Sequence, residues 1–240
     1  MLKNLLFPIA LLCLGLPSAF AQKGFHLGVN GNAVTTYLVD TKLYGDVDYK
    51  ANFTVAPIVG VAAGNNFTNQ FGFQVEVNYA RLGMGYEYND SLNQLPGFTK
   101  RNGKITLDYI QVPVLLKLTG GDFKTRFSAM AGPQFSFLQN AWNRRQIDSE
   151  ARPAKNDFNG TEIGLLVFAG SDISLTNDLY LSLGLRMFYG FTQVNKNNKV
   201  ISPSPLPNSK QLEDRLVNAY GGINVGVHYI FRNNKNPKNQ

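Results

Sequence analysis

The sequence predicts an all-β fold, a single eight-stranded antiparallel up-and-down transmembrane β-barrel. Three observations lead to this prediction: side chains that alternate between two faces, eight alternating segments in one chain, and connections that alternate between short and long. A period of two is typical of a strand, because successive side chains point to opposite sides of a sheet.

The alternation is clearest in the segment 179–193. Its apolar face carries Leu181, Leu183, Leu185, Met187, Tyr189 and Phe191. Its other face carries Ser182, Gly184, Arg186, Phe188, Gly190 and Thr192, most of them small or polar. A long apolar face opposite a mostly small, polar one is typical of a strand with lipid on one side and a narrow lumen on the other.

Eight segments of the chain alternate in this way. They are 24–36, 53–65, 71–88, 104–118, 125–139, 160–175, 179–193 and 216–231. Each exceeds the usual soluble strand of about 5–6 residues. Each can also cover the roughly 9–11 residues of a tilted membrane strand.

The connections between these segments alternate in length. Short turns rich in Gly, Asn and Asp occupy 65–70, 119–122 and 176–178. Long polar loops occupy 37–52, 89–103, 141–159 and 194–215. Short turns at one end and long loops at the other are typical of outer-membrane barrels. An even number of strands then places both termini on the short-turn, periplasmic side.

Residues 1–21 are predicted to be a secretory signal peptide, which leaves 22–240 as the barrel domain. Lys3 precedes an apolar run at 5–16, and Ala19-Phe20-Ala21 resembles a cleavage site. The run is too short for a transmembrane helix. The chain's single cysteine, Cys13, lies inside this segment, so the mature chain is expected to have no disulfide, thiolate metal site or cysteine nucleophile.

The chain is basic, with a formal net charge of +7 and a pI near 9.4. Many basic residues lie in the polar loops and in the C-terminal tail, and no helix carries them as a stripe. This distribution disfavours nucleic acid as a partner. It is consistent with solvated loops and with anionic surface polymers as partners.

The alternation also predicts which charged side chains enter the lumen. These are Glu76, Lys117, Arg126, Glu162, Asp172 and Arg186, three of each sign. Unpaired charges would be costly in a narrow lumen, so we expect an ion-pair network that fills it. A selectivity lining for ions is the alternative, but an eight-stranded barrel has room for little besides side chains.

Both histidines of the chain are predicted to face the lumen near the periplasmic end. His26 lies near the start of the first strand and His228 near the end of the eighth, and these strands pair in a closed barrel. The two rings should therefore lie close together. A metal site is one interpretation, but two histidines without further ligands favour simple hydrogen bonding, and we predict no metal and no cofactor.

The residues needed for an enzyme are missing from the expected positions. No Ser and acid accompany either histidine at a useful strand spacing, and no Gly-rich phosphate loop leads from a strand into a helix. A lipid-modifying enzyme is therefore disfavoured. A soluble lipocalin-like barrel is also disfavoured, because the extended apolar face would be exposed to water.

Aromatic residues concentrate near the predicted strand ends, as the interfacial girdles of a membrane barrel require. They are Phe25, Phe53, Phe71, Phe73, Tyr86, Phe127, Phe137, Trp142, Tyr189, Phe191, Tyr229 and Phe231. Ordinary strand propensity also enriches aromatic residues, so this observation adds only modest support.

The segment 107–117, Leu-Asp-Tyr-Ile-Gln-Val-Pro-Val-Leu-Leu-Lys, resembles the Leu-x-Tyr-Leu-Glu-Ile-Pro-Leu-Leu-Leu-Lys strand of the PorT-like outer-membrane β-barrel family. Segments 131–138 and 163–190 are similar to later strands of that family. Gln111 stands where the family usually has an acidic residue. The resemblance implies an eight-stranded barrel in a Bacteroidota-type outer membrane, and some members of the family assist type IX secretion.

We therefore expect a non-enzymatic barrel of the cell outer membrane with an envelope structural or partner-binding role. Its surroundings would be outer-membrane lipid, with envelope or secretion-machinery proteins as partners. An accessory role in protein secretion and a small-solute pore are the two alternatives.

Overall fold

A computed structural model of the chain describes residues 24–40, 49–89, 100–122, 124–145, 150–196 and 216–231. The predicted signal peptide and much of the four long loops lie outside these residues. Within the described part of the chain, no helix is long and apolar enough to cross a membrane.

The described residues form ten strands and one short 3-10 turn. The strands are β1 (Gly24–Asp40), β2 (Tyr49–Asn52), β3 (Thr54–Asn66), β4 (Phe71–Asn89), β5 (Lys100–Gly121), β6 (Thr125–Arg145), β7 (Arg152–Pro153), β8 (Thr161–Ser174), β9 (Leu179–Gly190) and β10 (Leu216–Phe231). The 3-10 turn is Lys155–Asp157.

Eight of these strands close into a ring of antiparallel neighbours. The order around the ring is β1, β3, β4, β5, β6, β8, β9, β10 and back to β1. The closing pair aligns Phe25 with Phe231 at one end and Asp40 with Leu216 at the other. The predicted eight-stranded up-and-down barrel is confirmed.

The strands β5 and β6 extend beyond their predicted bounds of 104–118 and 125–139. They remain paired as far as Gly103 and Arg145. In the added part of β6, Asn140 and Arg144 are exposed and Trp142 faces outward, whereas Ala141 is apolar and buried. The inward side of this extension therefore stays apolar where the outer surface becomes mostly polar.

Two short strands lie where the sequence predicts only loops. β2 pairs with β4 beyond the end of β3, and β7 pairs with Trp142 and Asn143 of β6. Both pair with strand extensions that project past the apolar band. They have only four and two residues, too few to show a long alternating pattern.

The outer surface of the barrel is an apolar band. Leu183, Leu185 and Met187 of β9 are exposed, as are Val225 and Tyr229 of β10. The predicted girdle residues face outward with one exception. Tyr86 is buried inside the barrel, because its even-numbered position on β4 places it on the inward face.

The interior changes character along the barrel axis. The half nearest the short turns is polar, whereas the half nearest the long loops is mostly apolar, with Leu82, Met84, Ile105, Leu107 and Leu138 all buried there. The sequence analysis expects a lumen of mostly small and polar residues. That expectation is wrong for the half nearest the long loops, where large apolar side chains fill most of the space.

Pro113 interrupts the ladder between β4 and β5. Pairing resumes at Val75–Val114 on one side and at Asn78–Gln111 on the other. Proline has no N–H to donate to a neighbouring strand, so a local gap is the expected result. The proline itself is buried in the lumen, between the inward positions of Gln111 and Leu115.

Two of the short turns each contain a threonine that accepts hydrogen bonds from the turn backbone. Thr68 Oγ1 accepts hydrogen bonds from the backbone N–H groups of Gln70 (3.2 Å) and Phe71 (2.9 Å). Thr176 Oγ1 does the same for Asp178 (3.3 Å) and Leu179 (3.1 Å). The hydroxyl thus satisfies backbone donors in the turn. The sequence analysis assigns these turns to Gly, Asn and Asp and misses the threonines.

Replacing Gly28 with alanine is expected to destabilise the barrel by about 1–3 kcal/mol. A Cβ there would clash with the His228 ring and would lie 2.7 Å from the Val227 carbonyl oxygen. The matched control is Gly31→Ala on the same strand, where a Cβ would meet nothing within 4 Å. Denaturant unfolding of both refolded variants measures the difference, and equal stability of the two would contradict this account of Gly28.

Candidate functional site: the barrel lumen

The eight side chains predicted to face the lumen are all buried in the structure. They are His26, Glu76, Lys117, Arg126, Glu162, Asp172, Arg186 and His228. Each lies at an inward position of its strand. They do not form one ion-pair network, however, because Arg126 and Glu162 bond to neutral groups.

The centre of the lumen holds an ion pair between Glu76 of β4 and Arg186 of β9. Arg186 Nη2 donates to both carboxylate oxygens, at 2.7 and 2.8 Å. Gln74 Nε2 (2.8 Å) and Asn78 Nδ2 (2.9 Å) donate to the same carboxylate. Additional hydrogen bonds of this kind are what a buried ion pair needs to offset the loss of hydration.

A second ion pair lies nearer the short turns. Lys117 Nζ is 2.7 Å from Asp172 Oδ2, with both side chains buried. The ammonium also donates to the Tyr180 hydroxyl at 3.4 Å. It lies 4.9 Å from the centroid of the Tyr180 ring, within the range of a cation–π interaction.

The two ion pairs are connected by an aromatic group made of Tyr180, His228 and His26. Tyr180 stacks on His228 with centroids 4.7 Å apart, and His228 meets His26 edge-on at 5.6 Å. His26 Nε2 then donates to Gln74 Oε1 at 3.3 Å, and Gln74 reaches Glu76. Since Gln74 Oε1 can only accept, this contact assigns the Nε2–H tautomer to His26.

Arg126 and Glu162 differ from the expected ion-pair network. Arg126 Nη2 donates to the Thr119 hydroxyl at 2.8 Å and to the Asn69 carbonyl oxygen. Glu162 accepts from the Asn218 side chain at 2.9 Å and from the Asn218 backbone at 3.3 Å. Each lies near one end of the polar lumen, where neutral groups are available as partners.

Neutral side chains fill the lumen next to Arg186 on the side of the long loops. Tyr220 donates to Gln134 Oε1 at 3.0 Å and stacks on Phe188 with centroids 5.0 Å apart. Above this layer, Phe158 and Val194 of the loop segments pack into the same apolar cluster as the strand residues. The backbone bridge between Phe158 and Asn195 joins these two segments.

Sequence reasoning missed most of the neutral members of this arrangement. They are Gln74, Asn78, Tyr109, Gln134, Tyr180, Asn218 and Tyr220. All occupy inward positions of their strands, so the period of two could have identified them as lumen residues. The sequence analysis searched that face for charges and histidines and did not consider amides and phenols.

The side chains of the lumen are arranged for hydrogen bonding and charge pairing. Among the described residues, no three His, Cys, Asp or Glu side chains lie together as a metal site would require. The two histidines contact each other, Tyr180 and Gln74, and no serine or cysteine is among their hydrogen-bond partners in the described strands.

A closed ring of eight long strands with an apolar outer band defines an outer-membrane β-barrel protein, located in the cell outer membrane. The chain belongs to the family described as "Outer membrane protein beta-barrel domain", whose model matches residues 20–196. Among curated proteins, none matches this chain.

Three solved structures are among those similar to this chain. Neisserial surface protein A is 16% identical, with 87% of this chain and 97% of that chain covered and a TM-score of 0.47. OprG from Pseudomonas aeruginosa is 15% identical, with 89% and 100% covered and a TM-score of 0.48. Ail, the attachment invasion locus protein of Yersinia pestis, is 8% identical, with 86% and 99% covered and a TM-score of 0.39.

Proposed function

We propose that this protein is a non-enzymatic component of the outer membrane that binds a partner outside its lumen. The observation that carries the proposal is the filling of the lumen by its own side chains. Two ion pairs, an aromatic–histidine group and an apolar layer follow one another along the axis. A barrel closed in this way can scaffold surface strands and loops, but it leaves little room for a solute.

The strands that project beyond the apolar band are the best candidates for the partner-binding surface. β4, β5 and β6 extend past the outward residues Tyr79, Ile110 and Phe137, and the short strands β2 and β7 pair with them. Extended, paired strands present side chains in a defined geometry, at a lower entropic cost than a loop that orders on binding.

The refolded protein is expected to show little or no steady conductance in planar-bilayer recordings. The Glu76–Arg186 ion pair and the stacked Tyr220 and Phe188 obstruct the path of an ion. A double variant, Phe188→Ala with Tyr220→Ala, provides the comparison because it removes two large side chains above the ion pair. A large, stable open state in the unmodified protein would contradict the proposal and favour the small-solute pore.

An accessory role in protein secretion is the second candidate, on the strength of the PorT-like strand at 107–117. Its Tyr109, Pro113 and Lys117 are inward-facing and buried, so the resemblance lies in the lumen lining. Deletion of the protein followed by comparison of secreted proteins tests this role. An unchanged set of secreted proteins would argue against it.

A further inference from the structure

The outer surface of the barrel carries a basic groove just beyond the apolar band. It is a cavity of about 380 Å³ lined by Arg81, Lys104, Thr106, Trp142 and Arg144, with residues of β3 and Ala151 at its sides. The groove faces away from the lumen, so the ion pairs of the interior do not contribute to it.

Two cations of the basic groove directly oppose each other. Lys104 on β5 and Arg144 on β6 are cross-strand partners, and both are exposed. Like charges in this position repel and weaken a sheet. Neither side chain forms an ion pair with a residue in the described part of the chain.

The third cation of the groove, Arg81, is held in place by Asp108. Its Nε and Nη2 donate to the two carboxylate oxygens at 2.8 and 3.3 Å. Asp108 is buried, whereas the Arg81 side chain is 58% exposed. Three cations and one carboxylate give the groove two excess positive charges.

The groove lies at a defined height relative to the membrane. The outward apolar series of β4 ends at Tyr79, directly before Arg81, and that of β5 ends at Ile110, directly before Asp108. Because the long loops are extracellular in such barrels, this edge is level with the headgroups of the outer leaflet. Trp142 is at the same edge, where tryptophan is typical of a membrane–water interface.

We propose that the basic groove binds a phosphate group on an anionic lipid headgroup of the outer leaflet. Arginine and lysine are the usual phosphate-binding side chains, and a phosphate between Lys104 and Arg144 would relieve their repulsion. The Trp142 ring would contact the apolar part of the same lipid. Free phosphate meets the same cations but gains nothing from Trp142 or from the adjoining apolar band, so a lipid is the better occupant.

Trp142 makes the proposal directly measurable, because it is the single tryptophan of the chain. The folded full-length protein in neutral detergent micelles is titrated with diphosphorylated lipid A, and the tryptophan emission is followed. We expect a saturable change that weakens as salt is raised. Dephosphorylated lipid A should bind at least about tenfold more weakly. Equal affinity for the two lipids would overturn the proposal.

A double variant, Lys104→Gln with Arg144→Gln, tests the cations themselves. Lipid A should bind to it at least about tenfold more weakly. The matched control is Lys155→Gln with Lys196→Gln, which removes the same charge from exposed sites outside the groove and should bind as the unmodified protein does. The same loss in both double variants would show nonspecific attraction and overturn the proposal.

Two further measurements keep the test decisive. Inorganic phosphate is titrated against bound lipid A, and displacement at comparable concentrations would identify a free-anion site and overturn the lipid assignment. Heat-modifiable migration in gel electrophoresis checks that each variant is folded. If the groove variant does not fold, the comparison of phosphorylated and dephosphorylated lipid A on the unmodified protein decides the question alone.

Discussion

Replacing Leu185 with arginine is expected to lower the free energy of unfolding of the barrel by about 2–4 kcal/mol. Leu185 is halfway along the outward apolar series that begins with Leu179 of β9 and ends with Phe191, just past the strand. Its side chain is 62% exposed on the outer surface. An arginine there must enter the middle of the hydrocarbon layer, or bend away from it at the cost of distorting the bilayer.

The control for this substitution is Gln139→Arg on β6. Gln139 is exposed at the extracellular edge of the apolar band, directly after the outward residues 135 and 137, and at the bulge where β5 and β6 change register. Its arginine can reach the headgroups, so a cost of no more than about 1 kcal/mol is expected. Reversible denaturant unfolding in lipid vesicles measures both. A similar cost at the two positions would mean that Leu185 is not near the midplane.

Replacing Arg186 with methionine should cost about 3–5 kcal/mol, the largest effect we expect for a lumen residue. The substitution keeps much of the apolar stem but leaves the Glu76 carboxylate buried without its cation. The two hydrogen bonds of 2.7 and 2.8 Å from Arg186 would be lost, and only Gln74 and Asn78 would remain as donors.

The double variant, Glu76→Gln with Arg186→Met, separates the loss of a favourable contact from the burial of an unpaired charge. It should be more stable than Arg186→Met alone, because no ionised group is left without a partner. Arg126→Met is a matched control near the periplasmic end, where the guanidinium has hydroxyl and carbonyl partners, and it should cost no more than about 2 kcal/mol. If the double variant were the least stable, the unpaired-charge explanation would be wrong.

The strand register could be predicted from the sequence because the face of a strand residue is a local property. An even-numbered position on β9 faces inward wherever β9 lies in the barrel, so Ser182 and Arg186 follow from a period of two. The same reasoning places Tyr86 inward, and the sequence analysis erred there by using the nearness of an aromatic residue to a strand end in place of its parity.

The partners of the lumen charges could not be predicted in this way. Arg126 and Asp172 are direct cross-strand neighbours, yet the ion pair of Asp172 is with Lys117 of β5, on the far side of β6. Glu76 and Arg186 are 110 positions apart and meet across the lumen. Such contacts depend on the tilt and stagger of the closed ring, which set the height of every side chain along the axis.

The sequence by itself therefore determined the number of long strands, the membrane-facing surface and the set of inward side chains, because alternation and turn composition act over a few residues. Only the tertiary structure decided that Glu162 bonds to Asn218, that the half of the lumen nearest the long loops is mostly apolar, and that Lys104 opposes Arg144 beside Trp142. Each of these features joins residues of different strands, so it depends on how the strands pair and on the stagger of the closed ring.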